Sequence, residues 1–377
     1  MFSSTSPVSS IETHLRAKRP DHAVMFFDPA ALARTAARFR AGFDGLVTYA
    51  VKANPARMVL DNLVAAGVTA FDVASPREME EVRAACDTAR LHYNNPVRSV
   101  AEVARGIEMG VASWSVDSSG ELDKLGRPRF EGEEVTVRLA LPLKGAHYDF
   151  GSKFGVGPEA AERLLNEVAA RGFTPSMTFH PGTQCHDPAV WEGYIRACAE
   201  VSAGAGVSLE RLNVGGGFAA YRSGAAPDLE RIFTRIGDVT RALFSEAPEL
   251  VCEPGRAMVA EAFTLAARVK SVRECGAVFL NDGLYGALSE LRDICPTDRV
   301  EVVAADGSSR SDKRASRVVF GPTCDSLDRL PEPLALPVDI REGDYVVFQG
   351  MGAYSLSIAT AFNGYGPGEV VTLSMPG

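Results

Sequence analysis

The sequence has no CxxC motif, and its seven cysteines are odd in number and scattered. This pattern favours neither a disulfide framework nor a zinc site, so we expect reduced thiols and no metal. No run approaches the ~20 apolar residues of a membrane span. Residues 1–20 also lack the apolar core and cleavage pattern of a signal peptide. We therefore expect a cytoplasmic protein that does not contact a membrane.

An excess of positive charge is also absent, because the formal net charge is −9 and the pI is about 5.3. Nucleic-acid binding requires a basic surface, so we predict no nucleic-acid partner. An acidic protein mildly favours cationic small substrates. The 377 residues exceed one ordinary domain. They suffice for a barrel of about 250 residues and a smaller domain.

Between residues 45 and 255, short β-branched segments alternate with longer Ala/Leu/Glu/Arg segments, which predicts βα units and a parallel sheet. Asp28 before Pro29 is a predicted helix N-cap, and Ser75–Glu78 a predicted capping box. Eight candidate strands are present, the number that a closed βα barrel needs. They cover 46–50, 69–73, 91–93, 112–116, 135–139, 176–179, 211–214 and 249–252.

After residue 258 the pattern changes, because strand-like segments are separated by Gly, Pro and Asp without long helical runs. We predict an α/β fold with a (β/α)8 barrel over 26–258 and a β-rich domain from 1–25 and 259–377. The polar segment 305–316 is predicted to be a mobile surface loop. The predicted strands of the second domain are 263–272, 276–280, 300–304, 317–320, 344–349 and 369–374.

Polar and glycine residues follow the predicted barrel strands at the points where the strands end. The carboxyl ends of the strands in a βα barrel meet at one mouth, where active sites are built. Residues that are some 200 positions apart are therefore expected to surround one small volume. They are Lys52, Asp72, Arg138, His180, Gly215, Gly216, Gly217, Glu253 and Arg256.

The chemistry of these residues is consistent with a phosphate-bearing aldehyde cofactor. The glycine triplet exposes backbone N–H groups, and Arg256 adds a bidentate phosphate donor; alone, the triplet is equally consistent with a tight turn. Lys52 at a strand end could form a Schiff base or be a surface lysine. Glu253 could pair with a pyridinium nitrogen or cap a helix. His180 could stack on a ring or be structural.

Seven further motifs occur in this order between residues 25 and 366: YAVKANP, FDVASPREME, HPGTQ, NVGGGF, CEPGR, GPTCDSLD and GAYSLSIATAFNGY. They resemble those of the fold-type III pyridoxal-phosphate decarboxylases of the ornithine/lysine/arginine/diaminopimelate group. The resemblance implies an alanine-racemase-like barrel with a β domain. It also implies pyridoxal 5'-phosphate (PLP) as cofactor, an amino-acid substrate and a homodimer with shared active sites.

The resemblance also implies residue roles. Lys52 resembles the lysine that carries PLP, Glu253 the acid that pairs with the pyridine nitrogen, and His180 the histidine stacked on the ring. Cys324 resembles the cysteine that one chain contributes to the active site of its dimer partner, where it protonates the substrate carbon after CO2 leaves. Asp325 resembles the acid that holds the distal amine of the substrate. The residues that match the family's phosphate-binding positions are Gly215, Gly216, Gly217, Arg256 and Tyr354. Further cofactor contacts implied by the resemblance are Asp72, Arg138, Thr183 and Gly255. Further implied substrate contacts are Tyr285 and Asp293.

The segment GPTCDSLD points toward ornithine decarboxylases, because the diaminopimelate branch has Glu-Ser-Gly after the cysteine. We expect conversion of L-ornithine to putrescine in polyamine biosynthesis, with L-lysine to cadaverine as a secondary activity. Two segments depart from the family pattern, HPGTQ and NDGLYGALSELRDICP. In the second, Asp293 is one position away from where eukaryotic members have a second substrate-binding aspartate, and Glu290 and Arg292 flank it. A pocket-facing Arg292 would favour diaminopimelate or a carboxy-polyamine. A silent PLP-binding homologue is the remaining alternative.

Overall fold

The computed structural model describes residues 7–142, 153–294 and 297–374. The helices of this described part are α1 (Ile11–Lys18), α2 (Pro29–Gly42), α3 (Arg57–Ala65), α4 (Pro76–Ala85), α5 (Val100–Glu108), α6 (Ser119–Leu125), α7 (Pro158–Ala170), α8 (Ala189–Ala205), α9 (Leu229–Leu243) and α10 (Arg256–Val259). The strands are β1 (Ala23–Phe27), β2 (Leu46–Ala50), β3 (Ala70–Val73), β4 (Arg90–Tyr93), β5 (Val111–Val116), β6 (Glu134–Leu139), β7 (Thr174–Phe179), β8 (Arg211–Asn213), β9 (Glu249–Cys252), β10 (Phe263–Val272), β11 (Val278–Leu280), β12 (Val300–Val303), β13 (Arg314–Arg317), β14 (Val319–Phe320), β15 (Leu334–Pro337), β16 (Tyr345–Gln349) and β17 (Pro367–Thr372).

Strands β2 to β9 form a closed parallel barrel in chain order, and a helix follows each strand. The barrel closes where β2 pairs with β9. The predicted (β/α)8 barrel is therefore confirmed, including the short third barrel strand β4. The strands form here because their apolar residues are buried on both faces, as expected for a sheet that packs against helices.

The turns that enter the barrel helices carry the predicted caps, with one difference. Asp28 accepts hydrogen bonds from the backbone N–H groups of Ala30 and Ala31, as an N-cap should. Ser75 accepts the N–H of Glu78. The Glu78 carboxylate, however, accepts the N–H of Ala74 at 2.7 Å. The predicted box is therefore closed one residue earlier than the pattern requires.

The described residues divide into two compact units, one within 36–219 and 227–258 and the other within 1–35, 220–226 and 259–377. The first contains the barrel. In the second, a sheet has the strand order β12-β16-β10-β1-β17, and β11 and β14 extend it beside β10. β1 runs across residue 26, where the sequence pattern put the start of the barrel. The predicted domain limits stay a prediction.

The polar segment 305–316 differs from the mobile loop that the sequence predicts. Arg310 forms an ion pair with the buried Asp344 at 2.5 Å, and Arg314 begins the strand β13. A charge-assisted contact to a buried carboxylate anchors the segment, because separation would leave Asp344 unpaired. The prediction of a loop up to residue 316 is therefore wrong at its C-terminal end. No described helix has the length and apolar character needed to cross a bilayer.

Candidate active site

A cavity of about 270 Å³ lies in the barrel unit. Five residues that the sequence analysis selected surround it, although they come from five different strand ends. The same cavity is lined by four residues that the analysis did not select and by Ala74. The lining comprises Lys52, Asp72, Ala74, Asn94, Asn95, Arg138, Lys153, Phe154, His180 and Glu253.

Lys52 lies in a 3-10 turn, Val51–Ala53, directly after β2. Its side chain is exposed. The turn carries Lys52 beyond the last residue of the strand, so its side chain is exposed and also lines the cavity. An exposed amine avoids the cost of burying an ammonium group.

Two acids and two cations control the charge of the cavity. Burial raises the pKa of Asp72, and the charges of Lys52 and Arg138 oppose this change. Burial and then the neighbouring Asp72 raise the pKa of Glu253, Lys52 and Arg138 lower it, and the resulting pKa is about 7. Burial lowers the pKa of Arg138, which the two acids oppose. Each acid and each cation therefore stabilise one another's charged forms in a site that otherwise disfavours charge, whereas the two acids oppose each other's ionisation.

Glu253 is held by two amide side chains. Asn94 donates from Nδ2 to Oε1 of Glu253 at 2.6 Å, and Asn213 donates from Nδ2 to the same oxygen. The Oδ1 atom of Asn213 in turn accepts the N–H of Gly215 at 2.9 Å. The carboxylate that follows β9 is thus fixed by residues at the ends of β4 and β8.

His180 follows β7 and is held as a neutral ring. The backbone N–H of Gly182 donates to Nδ1 of His180 at 3.2 Å, so the hydrogen bond assigns the proton to Nε2. Burial, and then the positive charges of Lys52 and Arg138, lower the pKa of His180 well below 6.5. Thr183, in the same loop, is buried. The ring is therefore uncharged at neutral pH.

The glycine triplet forms a cradle that side chains would fill. Gly215 and Gly217 have φ values of +68° and +85°. A Cβ on Gly215 would lie 2.2 Å from the carbonyl oxygen of Phe179, and one on Gly216 would lie 2.8 Å from that of Glu253. The triplet is therefore required for the close approach of neighbouring loops and is more than a tight turn. Arg256, buried at the start of α10, follows the adjacent strand.

The remaining predicted residues belong to the β-rich unit and are described within it. The Tyr285 hydroxyl donates to Asp325, and this bond lowers the pKa of Asp325. Asp325 also accepts the N–H of Leu327 at 2.9 Å. The N–H of Cys324 donates to Asn363, and the Cys324 side chain is exposed. Tyr354 has a φ of +59° after β16. The structure thus brings Tyr285, Cys324 and Asp325 together.

The three charged residues near Tyr285 have different environments. Glu290 is buried in an ion pair with Arg222, and each side chain is about 5% exposed or less. Arg292 and Asp293 are both exposed and pair with each other at 3.2 Å. The positive charge of Arg292 lowers the pKa of Tyr285, while the bond to Asp325 raises it. Asp293 is therefore partly neutralised by its neighbour, and Arg292 is close enough to influence Tyr285.

The sequence pattern of the pyridoxal-binding domain of pyridoxal-dependent decarboxylases matches residues 30–260. The chain belongs to this family. It is 33% identical over 341 residues to the chloroplastic ornithine decarboxylase of Nicotiana glauca, covering 86% of this chain and 77% of the relative. It is therefore a PLP-dependent amino-acid decarboxylase that acts on a basic amino acid, and PLP is its cofactor.

Solved structures of related decarboxylases have the same fold. The lysine/ornithine decarboxylase of Vibrio vulnificus, complexed with cadaverine, is 26% identical and has a TM-score of 0.82; the match covers 98% of this chain and 100% of that chain. The arginine decarboxylase of Paramecium bursaria Chlorella virus matches with a TM-score of 0.85, over 97% of this chain and 99% of that chain. At 24% identity, this second likeness concerns the fold alone.

The residues of the decarboxylase fit PLP. The Gly215 N–H donates to Asn213, and the next two glycines, Gly216 and Gly217, offer backbone N–H groups to a phosphate. The buried Arg256 guanidinium supplies a positive charge at the next strand end. Lys52 supplies an accessible amine, and Glu253 supplies an acid. The glycine cradle thus matches the phosphate of PLP, the Lys52 amine matches its aldehyde, and the Glu253 acid matches its ring nitrogen.

Several residues at the site were not found by sequence analysis. Asn94, Asn95 and the Lys153–Phe154 pair line the cavity, and Arg138 lies over the Phe154 ring at 5.3 Å. Glu78 is half-buried near Asp72, and its partial burial raises its pKa to about 7. A usable signal existed for the asparagines, since Asn94 and Asn95 directly follow a barrel strand. No sequence signal pointed to Glu78 as a site residue, because its position was already explained by the predicted capping box.

Proposed function

We propose that this decarboxylase converts L-ornithine to putrescine, with L-lysine to cadaverine as a slower activity, in cytoplasmic polyamine biosynthesis. The observation that carries the proposal is the hydrogen bond from Tyr285 to Asp325, which keeps Asp325 a carboxylate. A short carboxylate is suited to the distal ammonium of a diamine precursor. Nothing in GPTCDSLD offers a cation to a distal carboxylate.

In this proposal the cavity residues bind and orient the cofactor. Bound PLP would supply an aldehyde for the substrate amine and a ring that accepts the electron pair left on the substrate carbon when CO2 departs. Lys52 would hold the cofactor covalently, and Arg256, the glycine triplet and Tyr354 would hold its phosphate. Neutral His180 packs against the ring without adding charge. The remaining cofactor contacts are Asp72, Arg138, Thr183 and Gly255.

Two side chains control charge and protonation in this proposal. Glu253 would present its negative charge to the ring nitrogen, and Cys324 of the partner subunit would return a proton to the substrate carbon after CO2 has left. The exposure of Cys324 beside the exposed apolar side chains of Leu327 and Phe362 supports a surface that a second copy covers. We therefore propose a homodimer in which each chain completes the site of the other.

The substrate prediction is tested by comparing kcat/KM for ornithine, lysine, arginine and diaminopimelate. Ornithine is expected to lead lysine by about 10- to 200-fold, because one methylene separates them. Asp325→Ala should lower kcat/KM for ornithine by at least about 30-fold, since the distal ammonium loses its partner. Asp312→Ala, at an exposed position, is the matched control. Unchanged ornithine turnover in Asp325→Ala contradicts the proposal.

A second candidate substrate class follows from Arg292. Its charge acts on Tyr285, which contacts Asp325, and this position favours a substrate with a distal anion, such as diaminopimelate or a carboxy-polyamine. Arg292→Ala distinguishes the two. If the substrate is ornithine, the variant keeps ornithine turnover; if the distal group is an anion, it loses turnover of diaminopimelate or the carboxy-polyamine.

The shared-site prediction is tested by mixing inactive chains. Lys52→Ala and Cys324→Ala chains should together recover about a quarter of wild-type activity, because half of randomly formed dimers contain one intact site of two. The matched control mixes Lys52→Ala with the Lys52→Ala/Cys324→Ala double variant, which cannot form an intact site. Absence of recovery after demonstrated subunit exchange means that Cys324 does not act across a dimer.

A further inference from the structure

The hydrogen bonds to the Glu253 side chain have an unusual distribution. Among the described residues, both go to one oxygen, Oε1, and both come from amides: Asn94 at the end of β4 and Asn213 at the end of β8. All three side chains are buried, with 8% of Glu253, 8% of Asn94 and 6% of Asn213 exposed. Buried amides in such positions are costly unless both of their ends are satisfied.

Independent contacts fix the orientation of each amide. Asn213 accepts the Gly215 N–H with Oδ1, so its Nδ2 must face Glu253. Asn94 donates to Asp72 from its backbone and its side chain, in addition to its bond with Glu253. Neither side chain can turn its oxygen to Glu253 without losing these bonds. Both amides are therefore held as donors, and a donor selects the carboxylate form of an acid.

We propose that Asn94 and Asn213 are positioning residues that hold Glu253 by Oε1 and keep it negatively charged for the ring nitrogen of PLP. This inference rests on the role proposed for Glu253. A carboxylate suits this role because it accepts a charge-assisted hydrogen bond from a protonated ring nitrogen. A protonated Glu253 would lose that charge and would carry an O–H donor on one of its two oxygens.

The other groups that face Glu253 do not settle its charge. Asp72 on β3 opposes ionisation, while Lys52 after β2 and Arg138 on β6 favour it. His180 after β7 is neutral. Burial and Asp72 raise the pKa of Glu253, while Lys52, the hydrogen bond from Asn213 and Arg138 lower it, and the balance is about 7. At that value the loss of one hydrogen bond to the carboxylate is enough to change its charge near neutral pH.

The contact also links the ring end of the site to the phosphate end. The backbone N–H of Glu253 donates to the carbonyl of Gly215 at 2.9 Å, and Asn213 accepts the Gly215 N–H. Gly215 is thus bonded to Glu253 directly and through Asn213. A change at Asn213 is expected to disturb the glycine cradle as well, whereas a change at Asn94 affects only the two acids.

The test measures PLP affinity of the apoprotein against pH by equilibrium dialysis. In the wild type, affinity should fall on the acid side as Glu253 becomes protonated. Asn94→Ala and Asn213→Ala should move this midpoint upward by about one to two pH units, the effect of losing a hydrogen bond to a charged group. Asn94→Asp should move it at least as far, because it adds a third acid. Asn95→Ala is the control, since Asn95 lines the cavity but donates to the Ala74 carbonyl.

The variant Glu253→Gln distinguishes a failure of the role proposed for Glu253 from a failure of the role proposed for the two asparagines. If this variant keeps the wild-type midpoint, Glu253 is not the titrating group and its proposed role fails. If Glu253→Gln removes the midpoint while both asparagine variants leave it unmoved, the role of Glu253 stands and the positioning role of the asparagines is overturned. Circular dichroism identifies an Asn213 variant that misfolds, in which case Asn94→Ala decides.

Discussion

Lys52→Ala is expected to abolish covalent cofactor binding and lower decarboxylation by about 10⁴-fold or more, as for other covalent catalysts that lose the reacting group. The physical reason is that Lys52 presents an accessible amine to the cavity, on a turn fixed by the hydrogen bond from Ala50 to Pro254. Borohydride reduction of the holoenzyme, followed by peptide mapping, should place the pyridoxyl group on Lys52.

The matched control is Lys153→Ala, because Lys153 lines the same cavity. In that variant the pyridoxyl group should still be found on Lys52, and its position should not depend on whether activity is reduced. Label on Lys153 in the wild type, or covalent attachment in Lys52→Ala, would be incompatible with the assignment and with the mechanism built on it.

Glu78→Gln is expected to stabilise the apoprotein at high pH. Burial raises the folded-state pKa of Glu78 from 4.5 to about 7. A raised pKa means that its favourable contribution to stability is complete below pH 4.5 and is lost as pH rises through 7. At pH 8 the ionised, half-buried carboxylate therefore costs about 3 kcal/mol. Glutamine removes the charge and keeps an oxygen that can accept the Ala74 N–H.

Scanning calorimetry of the apoprotein at pH 5 and pH 8 measures this effect. We expect Glu78→Gln to raise the Tm at pH 8 by about 6–12 °C and to have a much smaller effect at pH 5. Glu80→Gln, at an exposed position of the same helix, is the control. An equal change at both pH values would show that titration of Glu78 is not the cause.

The barrel could be predicted because its signals are local. Each strand is a short apolar segment that ends at a polar or glycine residue, and the carboxyl ends of parallel strands must converge. Thus Lys52, Asp72, Arg138, His180 and Glu253 could be assigned to one mouth although nothing in the sequence joins them. From sequence alone, the glycine triplet was equally consistent with a phosphate site and with a tight turn. The structure shows that the triplet is more than a tight turn, because the carbonyl oxygens of Phe179 and Glu253 leave no room for side chains there.

The contacts among these residues could not be predicted, because they depend on distances between strands. Asn94 and Glu253 are 159 positions apart, and an asparagine after a strand is an ordinary turn residue. Glu78 matched a capping box, which concealed its proximity to Asp72. Glu290 stood beside Arg292 in sequence, but its carboxylate pairs with Arg222, from a segment that gave no signal.

The pairing of β1 has a consequence for biosynthesis. Its partners are β10 and β17, and Val24 aligns with Ala266 on one side and Glu369 on the other. At ordinary translation rates the second partner leaves the ribosome on the order of 20 to 70 s after the first strand. Until β10 has also emerged, the apolar residues of β1 have no strand to pair with. The nascent chain therefore carries β1 unpaired while all the barrel strands are made, and β1 gains its second neighbour only when β17 follows.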